Sequence, residues 1–174
     1  MIDFPVQRRE SLTEGFKVLA DVLRLIANKP DPQPLPDRCL EYLIEHRIPA
    51  DIIADIKSSS YSDWIRIGPL GLMPMPRLID DTTGILPCIE HGFLVLAGGA
   101  NADPVAVDRE TRRMYFVSHD TLWDEEWQHF RECVQETPFL YEDFWQHAVA
   151  DEGFPWDYYE AQRQWGATDE TPSP

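Results

Sequence analysis

Apolar residues in the first third of the chain recur at helical spacing. The S-x-x-E sequence at residues 11–14 has the form of a capping box, and the apolar positions after it predict a helix over residues 12–28. Prolines at alternate positions of residues 29–37 remove backbone donors, so we expect an extended connector there. Two shorter helices are predicted next, one ending near His46 and one with Pro49 in its first turn.

The apolar period shortens to two in the middle of the chain, which predicts strands between residues 63 and 119. Residues 93–97 form a continuous apolar run bounded by glycines, as expected of a buried central strand. Residues 105–108 and 114–118 alternate on either side of the polar turn 109–112. This pattern predicts a β-hairpin.

Helical spacing returns after His119. A helix capped by Thr121 or Asp124 is predicted, with an apolar stripe made of Trp127, Phe130 and Val134. Two more helices are predicted, over residues 139–150 and 156–165.

The order of helices, then strands, then helices predicts an α+β fold. We expect a mixed, mainly antiparallel sheet with a central β-hairpin, flanked by amino-terminal and carboxyl-terminal helices. One domain is predicted over residues 1–166, with a helical part at 11–57, the sheet at 63–119 and the last helices at 121–166. Residues 167–174 are expected to form a frayed tail.

The hairpin sequence resembles that of a known superfamily. Residues 101–108 (NADPVAVD) and 115–120 (YFVSHD) resemble the central hairpin of the SUKH superfamily, and residues 48–52 (IPADI) resemble the start of its preceding helix. The helix around Phe144 matches its aromatic-rich last helix, so that the resemblance covers residues 48–150. Bacterial members of this superfamily are largely immunity proteins that neutralise polymorphic toxins. The resemblance implies a sheet flanked by helices, no catalytic residues, and a surface that binds one partner protein.

Charge is unevenly distributed along the chain. The 174 residues include 31 acidic and 15 basic side chains, a net charge of −16, and residues 120–174 alone contain 14 acidic and 2 basic ones. A negative surface repels phosphate groups, which disfavours nucleic acid and anionic membrane as ligands. It accelerates encounter with a basic protein, so we expect a basic partner, for example a toxin of the nuclease class.

The cysteine content and the lack of long apolar runs indicate the cellular compartment in which the protein is expected. Three widely spaced cysteines, Cys39, Cys88 and Cys133, are an odd number in a chain large enough to fold without disulfides. No window reaches about 18 uninterrupted apolar residues, and the amino terminus lacks a secretory signal pattern. We therefore expect a cytoplasmic protein that does not span a membrane.

Aromatic residues lie among carboxylates in the last third of the chain. We hypothesise that the acidic residues guide a partner and that exposed aromatic residues anchor it. The other interpretation is a solvated acidic face over a buried aromatic stripe. The predicted contact residues are Glu125, Glu126, Glu142, Asp143, Asp151, Glu152, Asp157, Trp145, Trp156, Tyr158 and Tyr159.

A metal site is the main chemical alternative. Cys88 and His91 have C-x-x-H spacing, and His129 and Cys133 would be one helical turn apart. Thiolate and imidazole ligands suit tetrahedral zinc. These residues would make the chain a small zinc-dependent enzyme or regulator.

Other polar residues have simpler interpretations. His119 and Asp120 could form an acid–base pair only if the chain turns between them, because neighbours on a strand point to opposite faces. Asp103 and Asp108 are expected to be turn residues at the ends of one strand. The sequence contains no hydrolase motif and no complete phosphate-loop motif. We therefore predict a protein-binding module without enzymatic activity or cofactor, of the SUKH-like immunity type, with an acidic scaffold subunit as a further alternative.

Overall fold

A computed structural model describes residues 18–26, 29–75, 79, 87–124 and 129–166 of the chain. A 3-10 helix at Phe130–Cys133 and a short helical segment at residues 87–90 accompany the main elements. The α-helices are α1 Val18–Arg24, α2 Asp37–Glu45, α3 Ala50–Ser58, α4 His119–Trp123, α5 Tyr141–Ala150 and α6 Tyr158–Trp165. The strands are β1 Ile65–Ile67, β2 Leu70–Leu72, β3 Phe93–Gly98, β4 Pro104–Asp108, β5 Arg113–Val117 and β6 Val134–Leu140.

The strands form one antiparallel meander. Their order in the sheet is β1-β2-β3-β4-β5-β6, so each strand pairs with its neighbour in sequence. The predicted hairpin is β4–β5, in which Val105 lies opposite Phe116 and Val107 opposite Met114. The α+β class is confirmed, and every pairing among the described strands is antiparallel rather than mixed.

The three helices predicted in the first third are present among the described residues as α1, α2 and α3. Pro49 occupies the N-cap of α3, next to the first turn in which it was expected. The connector before α2 has no helix or strand, as its prolines predict. Residues 12–17 and 27–28 of the first predicted helix, and the tail at 167–174, lie outside the described residues.

The helix that follows the hairpin begins earlier than predicted. α4 begins after Ser118, whose Oγ accepts a hydrogen bond of 3.1 Å from the backbone N–H of Thr121. The predicted caps Thr121 and Asp124 are therefore wrong. Ser118 directly follows β5 and serves as the N-cap of α4, because its side chain accepts a hydrogen bond from the backbone N–H three residues further along the chain.

A 3-10 helix and then a sixth strand occupy the described end of the predicted helix. Val134 pairs with Val117 of β5, and β6 continues to Leu140, so the sheet extends well past residue 119. Pro138 is compatible with this strand, because β6 lies at an edge of the sheet, where proline is tolerated. Phe130 lies in the 3-10 helix, and the third member of the predicted stripe, Trp127, lies outside the described residues.

The two faces of the hairpin pack against different layers. The ring of Phe116 faces α5, and its centroid lies 6.3 Å from that of Phe144. Tyr115 points to the opposite face, where its ring lies 5.0 Å from Phe93, which in turn lies 5.1 Å from Phe130. Both faces of the hairpin are therefore covered, and all five residues of β4 are buried.

A buried carboxylate holds the helical layer together. Asp55 of α3 accepts hydrogen bonds of 2.8 Å from the backbone N–H of Leu19 in α1 and from the hydroxyl of Tyr141 in α5. Burial, and then the charge of Asp55, raise the pKa of Tyr141 well above its ordinary value. The phenol therefore stays protonated and continues to donate. None of the helices in the described ranges is both long and apolar enough to cross a membrane.

Candidate functional site

A buried aspartate joins three elements at one end of the sheet. Asp103 precedes β4 and is fully buried. Its Oδ1 accepts from the backbone N–H of His119 (3.1 Å) and contacts His119 Nδ1 (2.7 Å), while its Oδ2 accepts from the backbone N–H of Tyr158 (2.9 Å). The carboxylate thus fixes the starts of α4 and α6 against β4. It does much more than form the turn expected from the sequence.

The loop after β3 holds the segment that leads into α6. Asp157 caps α6 by accepting from the backbone N–H of Glu160 (2.8 Å), and it also accepts from Asn101 Nδ2 (3.0 Å). The carbonyl of Trp156 accepts from the N–H of Ala100 at 2.8 Å. These bonds fix the backbone on both sides of the Trp156 side chain.

His119 and Asp120 meet in the structure. The chain turns into α4 at this point, and His119 Nε2 lies 3.1 Å from Asp120 Oδ1. The other oxygen of Asp120 accepts from the hydroxyl of Tyr159 at 2.9 Å, and this hydrogen bond raises the pKa of Tyr159. Each imidazole nitrogen lies against a carboxylate, Nδ1 against that of Asp103 and Nε2 against that of Asp120. The imidazole is therefore placed to position the carboxylate of Asp120.

Three exposed aromatic side chains lie on these elements. The exposed fractions are 55% for Trp123, 51% for Trp156 and 41% for Tyr159. Trp123 comes three residues after Asp120 on α4, which places both on one face of the helix. Sequence analysis did not select Asp103, Asp120 or Trp123 as contact residues. The Ser118-x-x-Thr121 spacing is the signal that could have placed the start of α4 here.

Three of the predicted contact residues are buried by the fold. Trp145 is fully buried and packs edge-to-face on Phe144, with centroids 5.2 Å apart. Asp157 is buried as the cap of α6, and Tyr158 is buried as its first residue. The expectation that these three side chains face a partner is therefore corrected, because they stabilise the fold instead.

The other predicted acidic residues are dispersed. Glu142 is paired with Arg112, whose Nε lies 2.7 Å from its carboxylate, and Asp151 contacts His147 at 2.8 Å. Asp143 and Glu152 are exposed. The remaining two, Glu125 and Glu126, lie outside the described residues.

The two basic residues of the last third are already engaged. Arg163 pairs with Glu160 at 3.1 Å. Arg131 lies over the ring of Phe93 and donates to the hydroxyl of Tyr115 at 3.2 Å. The acidic excess of residues 120–174 is therefore not offset by an uncommitted arginine or lysine from the same segment.

The four predicted zinc ligands do not converge. Cys88 and Cys133 are fully buried, whereas His91 and His129 line an open surface pocket of about 390 Å³. The ring of His91 stacks on Phe130, with centroids 4.6 Å apart. Among the described residues, no three His, Cys, Asp or Glu side chains are placed to hold a metal ion. The predicted tetrahedral site is wrong, because a 3-10 helix that ends at the buried Cys133 takes the place of the α-helix in which His129 and Cys133 were to lie one turn apart.

The lining of the pocket carries two positive and two negative side chains. Arg109 and Arg131 line it together with Asp108 and Glu110, and its lining contains no serine, threonine or cysteine. Arg109 donates to the carbonyl of His46 at 2.9 Å. Asp108 accepts from the N–H of Glu110 at 2.8 Å, which confirms its predicted turn role. These contacts engage Arg109 and Asp108 within the fold.

We predict that the buried thiol of Cys88 makes the protein less stable at alkaline pH. Burial raises the pKa of Cys88 from 9.0 to about 12. Above pH 9 the unfolded chain loses this proton while the folded chain keeps it, so stability falls by about 1.4 kcal/mol per pH unit between the two pKa values. Urea unfolding of the wild type and of Cys88→Ala at pH 8 and pH 10.5 tests this. We expect a smaller loss in the variant, and equal losses would refute the assignment.

Comparison with protein-family models, with curated proteins and with solved structures gives no match for this chain.

Proposed function

We propose that this chain is a protein-binding module of the SUKH-like immunity type, which neutralises a basic toxin by direct contact. The observation that supports it most is the position of the exposed aromatic side chains. Among the described residues, Trp64, Trp123, Trp156 and Tyr159 are the large exposed aromatics, and three of these four lie in the acidic last third.

Charge and aromatic area contribute differently to such a complex. A focused negative surface raises the association rate with a basic protein by roughly 10 to 1000-fold at low salt. Tryptophan and tyrosine provide rigid contact area that dominates binding energy at many interfaces. The proposal needs no catalytic group. The cytoplasmic location remains a prediction from the cysteine content.

The proposal is tested by capture and rescue. Tagged protein is incubated with lysate of the native organism at about 50 mM and at about 500 mM salt, since screening weakens charge-guided complexes. We expect one basic protein, recovered in smaller amount at high salt, that inhibits growth when expressed alone. Co-expression of this chain should restore growth.

Two triple variants that lose the same number of negative charges distinguish an effect of local charge on binding from an effect of overall charge. Asp120→Asn/Asp143→Asn/Glu152→Gln and Asp31→Asn/Glu41→Gln/Asp63→Asn each remove three exposed negative charges. We expect the first variant to lose capture and rescue, and the second to keep both. A captured partner that is harmless to cells would instead favour a scaffold role, and no basic partner at either salt would overturn the proposal.

A further inference from the structure

We infer that Asp120, Trp123, Trp156 and Tyr159, together called the Asp120 patch, form a contact site for an arginine side chain of the partner. This inference rests on the proposed function and adds to it the residue type that is recognised. Asp120 has a side chain that is 61% exposed, and the other three are the large exposed aromatics in the described part of the acidic third. A carboxylate beside aromatic rings is the environment in which a planar guanidinium can both pair and stack.

The carboxylate of Asp120 is held in one orientation before any partner arrives. His119 contacts its Oδ1 and Tyr159 donates to its Oδ2, at 3.1 and 2.9 Å. His119 is itself fixed by the buried Asp103. Each carboxylate oxygen has a second lone pair, so both can accept from an incoming guanidinium. Orientation in advance lowers the entropy lost on binding.

Two of the aromatic members of the patch are held by contacts with neighbouring elements. The hydroxyl of Tyr159 is tied to Asp120, and its ring packs edge-to-face on Tyr158 with centroids 5.5 Å apart. The backbone of Trp156 is bonded to Ala100, and a side chain at Gly99 would come within 2.4 Å of the Trp156 carbonyl oxygen. Glycine at position 99 therefore permits this close approach.

Arginine suits the patch better than lysine for geometric reasons. A guanidinium presents parallel N–H groups to a carboxylate and a flat face to a ring, whereas an ammonium offers a compact, strongly hydrated charge. Arg163, which lies on the same helix as Tyr159, is paired with Glu160 in the structure. Two carboxylates on neighbouring elements thus have different roles, Glu160 pairing within the chain and Asp120 pairing with the partner.

Tryptophan indole signals in NMR spectra of the full chain test this inference directly. The probes are the amidated peptides Gly-Arg-Gly-Arg-Gly and Gly-Lys-Gly-Lys-Gly, which carry equal charge. We expect the arginine peptide to shift the indole N–H signals of Trp123 and Trp156 and to leave that of Trp64 in place. The lysine peptide should shift them less. Equal shifts with both peptides, or shifts that do not include Trp123 and Trp156, would overturn the inference.

Single variants distinguish the patch from general charge. Asp120→Asn and Asp31→Asn each remove one exposed negative charge. We expect Asp120→Asn to weaken binding of the arginine peptide and of the captured partner by about tenfold, the cost of losing a charge-assisted hydrogen bond. Asp31→Asn should change it by no more than about twofold. Circular dichroism verifies that both variants are folded.

The two proposals fail in different ways. A captured partner that binds both variants with the same affinity would overturn the Asp120 patch and leave the proposed function standing. Selective shifts with the arginine peptide, combined with no captured partner, would support the patch and overturn neutralisation of a basic toxin.

Discussion

Asp103→Ala is expected to lower the free energy of unfolding by roughly 3–5 kcal/mol, because it removes a fully buried carboxylate that bonds two other elements. The backbone N–H groups of His119 and Tyr158 lose their acceptor, and the imidazole of His119 loses its inner contact. The starts of α4 and α6 would then no longer be tied to β4. Urea unfolding followed by circular dichroism measures the loss.

Asp31→Ala is the matched control for this change. Asp31 is an exposed aspartate in the connector before α2, so its removal should alter stability by no more than about 0.5 kcal/mol. Hydrogen exchange adds a local measurement, since the amides of His119 and Tyr158 should exchange much faster in Asp103→Ala. A loss of stability similar to that of the control would contradict the role given to Asp103.

Gly68→Ala is expected to be the second severe change, with a loss of roughly 3 kcal/mol or more. Gly68 lies between β1 and β2 with φ of +57°, and an added Cβ would lie 1.9 Å from the carbonyl oxygen of Ala148. That oxygen belongs to the backbone of α5, so the clash is relieved only if the helix or the β1–β2 connection moves. The result is measured as a lower melting temperature and a lower urea midpoint.

Gly153→Ala is the control that measures the destabilisation caused by the left-handed backbone conformation alone, without a steric clash. Gly153 also has a positive φ, of +83°, but an added Cβ would meet nothing within 4 Å. Its replacement should cost only the strain of the left-handed conformation, about 1–2 kcal/mol. If the two variants were equally stable, the contact between Gly68 and α5 would not be as close as described.

Local patterns were sufficient to predict the hairpin. Residues 105–108 and 114–118 alternate on either side of a polar turn, and pairing between strands adjacent in sequence needs no distant information. The strand β6 was missed for the opposite reason. Phe130 and Val134 have helical spacing, and only the free edge of β5, which the sequence does not display, makes Val134 a strand residue.

The candidate site was harder to predict than the fold because its contacts are non-local. Asp103 bonds to His119 and to Tyr158, which are 16 and 55 residues away along the chain. Residues of the same type also differ in burial, and the sequence does not show which of them is buried. Trp145 and Trp156 both lie among carboxylates in the sequence, but only the packing of α5 against the sheet decides that Trp145 is enclosed. The acidic excess itself was readable from the sequence.

The association rate between this chain and its captured partner tests the central proposal most directly. Stopped-flow tryptophan fluorescence would give the association and dissociation rate constants at about 50 and about 500 mM salt. If the acidic last third guides a basic partner to the exposed aromatics, the association rate constant should fall at least about tenfold, with a smaller change in dissociation. An association rate that is independent of salt would contradict this account.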